Sequence, residues 1–535
     1  MHGQEGQRMR NKEKLFNLTI TGTFAFSAFA FSLFTARSVY FLYQFSGALI
    51  AFFGFLMLFH RLRLVDRLAE FSVPEAIVSS LLTYFSLNLM VEYAVWTWWK
   101  AFLLECAAAP FLFALYFLIL RYLKKRSFFH LCSRTEFFVF GILSFVVLVL
   151  LSLLYQKTYV FFMGTKSYDI LYTTDSGAIY SENSFLNFTS DENDIRQPYY
   201  AMISLPFAVL AKGVALLFPG YVHAYAIGLQ FVQWLVVVVE GYMLLSVCKI
   251  QSGFARYAFL AIWLFSYCQF FFVLLIEQYV FGVFYLLLTV FLVVKGERAA
   301  LPVCALSAGG LLTSLALAPF VVFRKKCTVE KVCKRGVGGL CYVLLFLAVS
   351  GQFSQLTPDF LEYCFFQYGG FVKNSVFENL QQYTHFVANL FLPSESDCVF
   401  EGLYRYILLP VTSFRFEGIV LFLLAAISFF CVRKNRLAQI AAYWIAFSFL
   451  LFVFVGYGTA ENGLILYAHY FGWAFLLLYA LAIRELCTRW KKRGEVVCGS
   501  VFSLLAAGAL VCSVISLSRI LLTVAHYYPG PLMNG

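Results

Sequence analysis

The chain has 535 residues, 61% of them hydrophobic, 20% aromatic and only 13% charged, with a mean hydropathy of +0.79. Apolar runs long enough to cross a hydrocarbon layer of roughly 30 Å recur along it, which excludes a soluble core and predicts a polytopic membrane protein. A formal charge of +12 invites a nucleic-acid reading. The basic residues, however, stand in short clusters between apolar runs rather than along one face, so they read as topology signals and no nucleic-acid partner is expected.

The first cluster is Arg8, Arg10, Lys12 and Lys14. The apolar run that begins near Leu18 continues past signal-peptide length without a small-residue cleavage site, and is expected to remain as the first span. Further clusters stand at Arg61/Arg63/Arg67, Arg121 to Arg134, Lys249/Arg256, Lys295/Arg298, Arg324 to Arg335, Arg433/Lys434/Arg436 and Arg484 to Arg493. Placed on the cytoplasmic side by the positive-inside rule, they predict helices near 16–36, 39–60, 73–95, 101–121, 136–156, 221–247, 256–276, 279–295, 336–352, 417–432, 437–456, 464–484 and 497–522. The expected fold class is all-α: about thirteen transmembrane helices in the plasma membrane, amino terminus in and carboxyl terminus out.

Residues 1–130 hold four of these spans with short loops and read as an N-terminal membrane segment. Residues 131–535 hold the other nine and the long outer loops, 157–220 and 353–416, with a shorter one at 457–463. Two apolar stretches break the alternation. Residues 199–219 are expected as a membrane-surface helical pair. Residues 301–323, "LPVCALSAGGLLTSLALAPFVVF", are flanked by basic clusters and interrupted by Pro302, Gly309, Gly310 and Pro319. They read as a broken re-entrant pair, since irregular backbone at membrane depth is tolerated only inside protein or along a wet cavity. The stretch "DFLEYCFFQYGGFVKNSVFENLQQYTHF" within 353–416 reads as a partly helical lid. Cys364 and Cys398 share that loop, either bridged or as two free thiols, and no Cys/His group has zinc-ligand spacing.

Charge then points to a site. Residues 172–200, "YTTDSGAIYSENSFLNFTSDENDIRQPYY", gather Asp175, Glu182, Asp191, Glu192 and Asp194, with Asp169 just upstream, on a loop predicted to face outside. Ionisable residues inside the spans are costly and therefore informative. Glu240 shares one face of the helix 221–247 with His223, Gln230 and Gln233, and interhelical hydrogen bonding is the expected role, with an ion pathway as the alternative. Glu277, followed by Gln278 between two spans, and Glu461 in the loop 457–463 lie on the same side as the acidic loop.

A span ends near Gln156, an acidic outer loop follows, and "IRQPYYAMISLPFAVL" then leads into an amphipathic surface helix. This order resembles the GT-C superfamily of membrane glycosyltransferases, which use lipid-phosphate sugar donors. In that superfamily the first large outer loop bears catalytic acids, and surface helices follow a basic-or-His, Pro, aromatic stretch. Arg196-Gln197-Pro198-Tyr199-Tyr200 stands in that place. The interrupted "SAGGLLTSLALAP" is similar to the short broken helices of such enzymes. The likeness covers about residues 136–320. Five spans rather than one precede the acidic loop, and Gln197-Pro198-Tyr199 replaces the usual His-Pro-Pro or Lys-Pro-Pro.

The resemblance implies transfer of a sugar from a polyprenyl-phosphate donor to an envelope glycan, lipid or protein acceptor at the outer face, among membrane lipids. Asp175 is the candidate base for the acceptor hydroxyl, with Asp194 as a second catalytic acid; a turn-forming Asp is the other reading of Asp175. Arg196 either holds the departing phosphate through its forked donors or pairs with a neighbouring acid. Asp191 and Glu192, with Asp194, bind a divalent metal, position the acceptor or cap the surface helix. Tyr199, Glu277 and Glu461 complete the expected substrate-binding set. A transporter or flippase and a polysaccharide polymerase are the alternatives. The first requires more charged or broken helices at mid-membrane, and the second a more basic outer loop than Lys373, Arg405 and Arg415 provide.

Overall fold

The computed structural model of the chain describes residues 2–35, 41–70, 72–93, 98–125, 132–157, 176, 179–180, 197–250, 253–323, 328–352, 358, 374–393, 396–401, 405–410, 414–458, 463–488 and 491–527. In chain order the helices are α1 (His2–Thr35), α2 (Phe41–Arg61), α3 (Leu64–Ala69), α4 (Val73–Tyr93), α5 (Trp98–Lys125), α6 (Arg134–Lys157), α7 (Tyr200–Ala215), α8 (Ala224–Cys248), α9 (Gly253–Phe265), α10 (Tyr267–Leu274), α11 (Tyr279–Lys295), α12 (Ala300–Ser307), α13 (Ala318–Val322), α14 (Val329–Val349), α15 (Val376–Asn389), α16 (Phe416–Val432), α17 (Arg436–Phe449), α18 (Ala468–Thr488) and α19 (Lys491–Tyr527). Short 3₁₀ turns at Leu312–Leu317 and Gly463–Tyr467 lead into α13 and α18, and one π turn, Leu450–Phe454, continues α17.

Among the described residues ten helices are long and apolar enough to cross a membrane, or eleven when α9 and α10, bent by 59° at Ser266, count as one span. Each stretch predicted as a span is helical, but three depart from a straight, full-length span. Residues 256–276 form the bent α9–α10 pair, and α11 and α16 are 17 residues each, or about 26 Å at ~1.5 Å per residue. Residues 199–219, expected as a helical pair, form the single helix α7, which carries Pro206 within it. The interrupted stretch 301–323 breaks at Gly309 and Gly310 between α12 and the 3₁₀ turn.

The all-α expectation is corrected at one place. β1 (Ser396–Glu401) and β2 (Arg405–Pro410) form an antiparallel hairpin with Ser396 opposite Pro410 and Glu401 opposite Arg405. Two six-residue runs joined by the short Gly402-Leu403-Tyr404 connection, with Val, Phe, Tyr and Ile among them, are too short for a stable helix and suit a strand pair. The described residues of the segment 353–416 thus include the helix α15 and a hairpin.

The chain divides into two compact units: residues 1–131, 184–209 and 329–361, and residues 132–183, 210–328 and 362–535. In the first, α1, α2 and α5 share an aromatic core in which Phe111 lies 5.7 Å from Phe31 and 4.7 Å from Phe55. Pro110 interrupts the hydrogen-bond ladder of α5. The Ser27 hydroxyl of α1 fills the gap, donating to the Ala107 carbonyl and accepting from Phe111 N at 3.2 Å. Ser32 donates to the Ala348 carbonyl, fastening α14 to α1 although more than 300 residues separate them. The buried Glu75 of α4 takes Lys124 at 2.7 Å and Arg121 at 3.2 Å from α5, and Arg121 also reaches Glu70 at 2.8 Å.

In the second unit a capping box starts α6, with Glu136 accepting from Ser133 N and Ser133 Oγ accepting from Glu136 N. The same carboxylate receives Arg256 of α9 in a bidentate pair at 2.6 and 3.1 Å. Arg256 Nη1 reaches the Ile250 carbonyl, and Arg484 of α18 donates to the Cys248 carbonyl at 2.6 Å. The start of α6, the end of α8, the start of α9 and the end of α18 therefore meet at one basic end of this unit. The carbonyl of Phe265, freed where α9 bends into α10, accepts from Ser513 of α19 at 2.9 Å.

Candidate functional site

Of the site residues expected from sequence, Asp175, Asp191, Glu192, Asp194, Arg196 and Glu461 lie outside the described residues, as does the pairing of Cys364 with Cys398. Tyr199 and Glu277 are described, one in each unit. Tyr199 belongs to the first. Pro198, Tyr199 and Tyr200 are buried as the chain enters α7, with Tyr200 N donating to the Gln197 carbonyl at 3.2 Å. The Tyr199 ring, 2% exposed, packs 5.8 Å from Phe346 of α14. The Tyr199 ring thus packs the start of α7 against α14.

Glu277 belongs to the second unit and is 1% exposed. It sits in the extended connection between α10 and α11, where Leu275 takes β geometry. A helix end leaves carbonyls without intrahelical donors, and within a membrane they must be satisfied by protein. Gln233 of α8 donates to the carbonyls of Phe272, at 2.8 Å, and Leu275, while Gln230 donates to that of Leu274. These contacts realise the expected interhelical bonding for the two glutamines but not for Glu240, and their target is the broken end of α10. Gln230 lies 18 residues from Cys248 along α8, about 27 Å at ~1.5 Å per residue. Glu277 and its neighbours therefore occupy the end of the unit opposite the basic one.

Aromatic side chains surround that turn. Tyr279, the first residue of α11, lies 5.1 Å from Tyr470, 6.2 Å from Tyr467 and 5.5 Å from Phe272. Tyr470 donates its hydroxyl to the Gly310 carbonyl at 3.4 Å. Gly282 allows this approach, because a Cβ there would stand 3.3 Å from both the Gly310 carbonyl oxygen and the Tyr470 ring. The glycine turn of the interrupted stretch 301–323 is thereby joined to α11 and α18 one turn from Glu277. Phenols and a carboxyl group at one place suit a polyhydroxylated ligand, through stacking and hydrogen bonds.

At the same end α15 caps the bundle. Its own start is a capping box, Ser375 with Glu378, and the exposed Glu378 carboxyl is held below the usual carboxylate range by hydrogen bonds from Ser375. Asn379 donates to the Val453 carbonyl at 3.1 Å, and the Tyr383 and Ser448 hydroxyls lie 2.9 Å apart. Arg415, just before α16, donates to Asn389 Oδ1 at 3.3 Å and to the Pro393 carbonyl at 3.1 Å; Asn389 Nδ2 in turn lies 3.1 Å from His385 Nδ1. Burial first, and the Arg415 charge second, push the His385 imidazole down to about 4. A neutral ring accepting at Nδ1 carries its proton on Nε2.

Residues that the sequence reading passed over also line the interior. His469 and Gln269 are wholly buried. His469 lies 3.8 Å from Glu240, and its ring is 5.7 Å from that of Phe272. The Gln269 amide borders α18 at Gly472, one turn along from His469. The available signal was a histidine inside an apolar span, "LYAHYFGW", which is as costly there as the Glu240 that was noticed. Comparison with known proteins finds no matching family model, curated protein or solved structure.

Proposed function

We propose that this chain is an integral membrane glycosyltransferase that moves a sugar from a polyprenyl-phosphate donor to a cell-envelope acceptor at the outer face of the membrane. The observation that carries this reading is the placement of the acidic stretch 169–194 between an apolar helix, α6, and a buried Pro198-Tyr199-Tyr200 anchor that opens α7. An anchored exit gives the residues just before it a fixed base from which to meet a substrate. The interrupted helix beside the buried Glu277 supports the same reading, with backbone groups and phenols gathered at the end opposite the basic clusters.

In this reading the basic helix ends are cytoplasmic, α11 and α16 cross with the longer helices, 301–323 is re-entrant and α7 lies at the outer membrane surface. Asp175, with Asp194 as its second acid, takes the proton of the acceptor hydroxyl as that oxygen attacks the anomeric carbon and the bond to phosphate breaks. Arg196 stabilises the charge growing on the departing phosphate. Asp191 and Glu192 position the acceptor or hold a divalent metal. Tyr199, Glu277 and Glu461 complete the substrate-binding set.

The test is sugar transfer in lipid vesicles, with donor-lipid affinity measured separately. Asp175→Asn is expected to bind donor normally yet lower turnover by a factor on the order of 10² or more, since an amide does not accept the proton. Arg196→Ala is expected to weaken donor binding, and a loss in Asp191→Asn that excess divalent ion partly recovers would identify a metal role. Wild-type turnover in Asp175→Asn, or robust turnover with a nucleotide sugar alone, overturns the proposal. Cysteine labelling from outside at 175 and 380 but not at 328 tests the orientation.

A further inference from the structure

Glu240 of α8 and His469 of α18 are both wholly buried, with Nε2 of the ring 3.8 Å from Oε2 of the carboxyl group. Among the described residues, neither carboxyl oxygen and neither ring nitrogen has a hydrogen-bond partner. Charged groups on the neighbouring helices are engaged elsewhere. On the elements packed against α8, Glu136 of α6 and Arg256 of α9 hold each other, Arg484 of α18 is on the Cys248 carbonyl, and Lys295 of α11 lies over the Phe291 ring. The helix α10 has no charged residue and faces the imidazole with Phe272, while α9 faces it with Trp263. Tyr242, Tyr267, Cys268 and Tyr470 on these elements are phenols and a thiol.

A pair made of one carboxyl and one imidazole is electrically neutral only when it holds a single proton. With two protons or none it would place an uncompensated charge among apolar helices. The same single proton can reside on either member. Separated charges would require the carboxylate oxygens to accept hydrogen bonds, because attraction at 3.8 Å does not by itself offset the loss of water around two ions. Those bonds are missing here. The geometry points to Glu240 and His469 as a proton-binding site in the helical core of the second unit, holding one exchangeable proton on the carboxyl group opposite the imidazole Nε2. Transfer of that proton from Oε2 to Nε2 gives carboxylate and imidazolium without changing the charge of the pair. This is the property of a relay position inside a membrane. The site is independent of the sugar-transfer reading.

The experiment uses the full chain in lipid bilayers at neutral pH. The infrared difference between wild type and Glu240→Gln is expected to show loss of one carboxylic-acid carbonyl band, and nitrogen-15 labelling of histidine is expected to show a neutral ring for the resonance that vanishes in His469→Gln. In His469→Gln the acid band is expected to persist and move to higher frequency, because the polar ring 3.8 Å from Oε2 is gone. No acid band lost in Glu240→Gln, an imidazolium signature for His469, or an acid band unmoved in His469→Gln each overturns the proposal. Should Glu240→Gln not fold, the ring signature of the wild type and the band shift in His469→Gln decide it.

Discussion

The two units treat buried polar groups differently. In the first, such groups mend the backbone or cancel charge: Ser27 closes the gap at Pro110, Ser32 fastens α14, and Glu75 is met by Arg121 and Lys124. In the second, Gln230 and Gln233 do the same for the end of α10, but Glu240, His469 and Gln269 keep polar atoms without partners. The helices that carry Glu240 and His469 are also the most enclosed spans, 78% and 83% buried along their apolar windows, against 33% for α1 and 28% for α2. A polar group that satisfies nothing in the most enclosed part of a fold lowers stability, so its presence there marks a place kept for something other than stability.

The sharpest way to break this contrast is steric. Gly228 of α8 lies so close to α7 that a Cβ would run into the Ala211 carbonyl, and backbone has no rotamer by which to move aside. Gly228→Val is expected to cost more than about 3 kcal/mol, read as a drop in the denaturant midpoint in micelles. A midpoint within error of wild type would mean that α7 does not hold α8 in place.

Acid provides the next largest effect. The His385 ring is pushed down to about 4 from its ordinary 6.5, so below pH 6.5 the unfolded chain binds a proton that the folded chain refuses. Stability is therefore intact above pH 6.5, falls as pH drops towards 4, and levels off beyond. The total loss from this group is about 3 kcal/mol at ~1.4 kcal/mol per pH unit. His385→Asn should flatten that part of the pH profile, and an unchanged slope would assign the acid sensitivity elsewhere.

Two substitutions within the second unit then separate groups that mend from groups that do not. Gln233→Leu strands the carbonyls of Phe272 and Leu275 and is expected to cost about 2 kcal/mol. Gln269→Leu removes an amide that satisfies nothing and should change stability by less than about 0.5 kcal/mol or raise it. Equal losses in the two would erase the distinction. In the first unit, Ser27→Ala leaves Phe111 N and the Ala107 carbonyl unmet and should cost about 1 to 2 kcal/mol, with Phe111 amide exchange as a local readout.

The helical class and the positions of the long apolar helices were legible because apolar runs longer than about 17 residues have few alternatives in a bilayer, where the backbone must satisfy itself. The basic clusters were equally legible, and Glu136 with Arg256, or Glu75 with Lys124, join residues already grouped on one side by charge. The hairpin at 396–410 was not legible, since its two short runs carry no period distinct from that of a lid helix. Nor was the division of labour on α8. Gln230, Gln233 and Glu240 share one helical face, yet only the bend at Ser266 and the end of α10 give the two glutamines their acceptors.

By itself, then, the sequence determined that this chain folds as apolar helices, where its basic ends gather and that its acids crowd into one loop, because these follow from local composition and the thickness of a bilayer. Tertiary structure alone decided that residues 329–361 join a unit otherwise made of residues 1–131 and 184–209, and that His469 stands 3.8 Å from Glu240 across 229 residues of chain. Contacts of such separation are set by which helix faces pack together, and no periodicity within either helix specifies its partner.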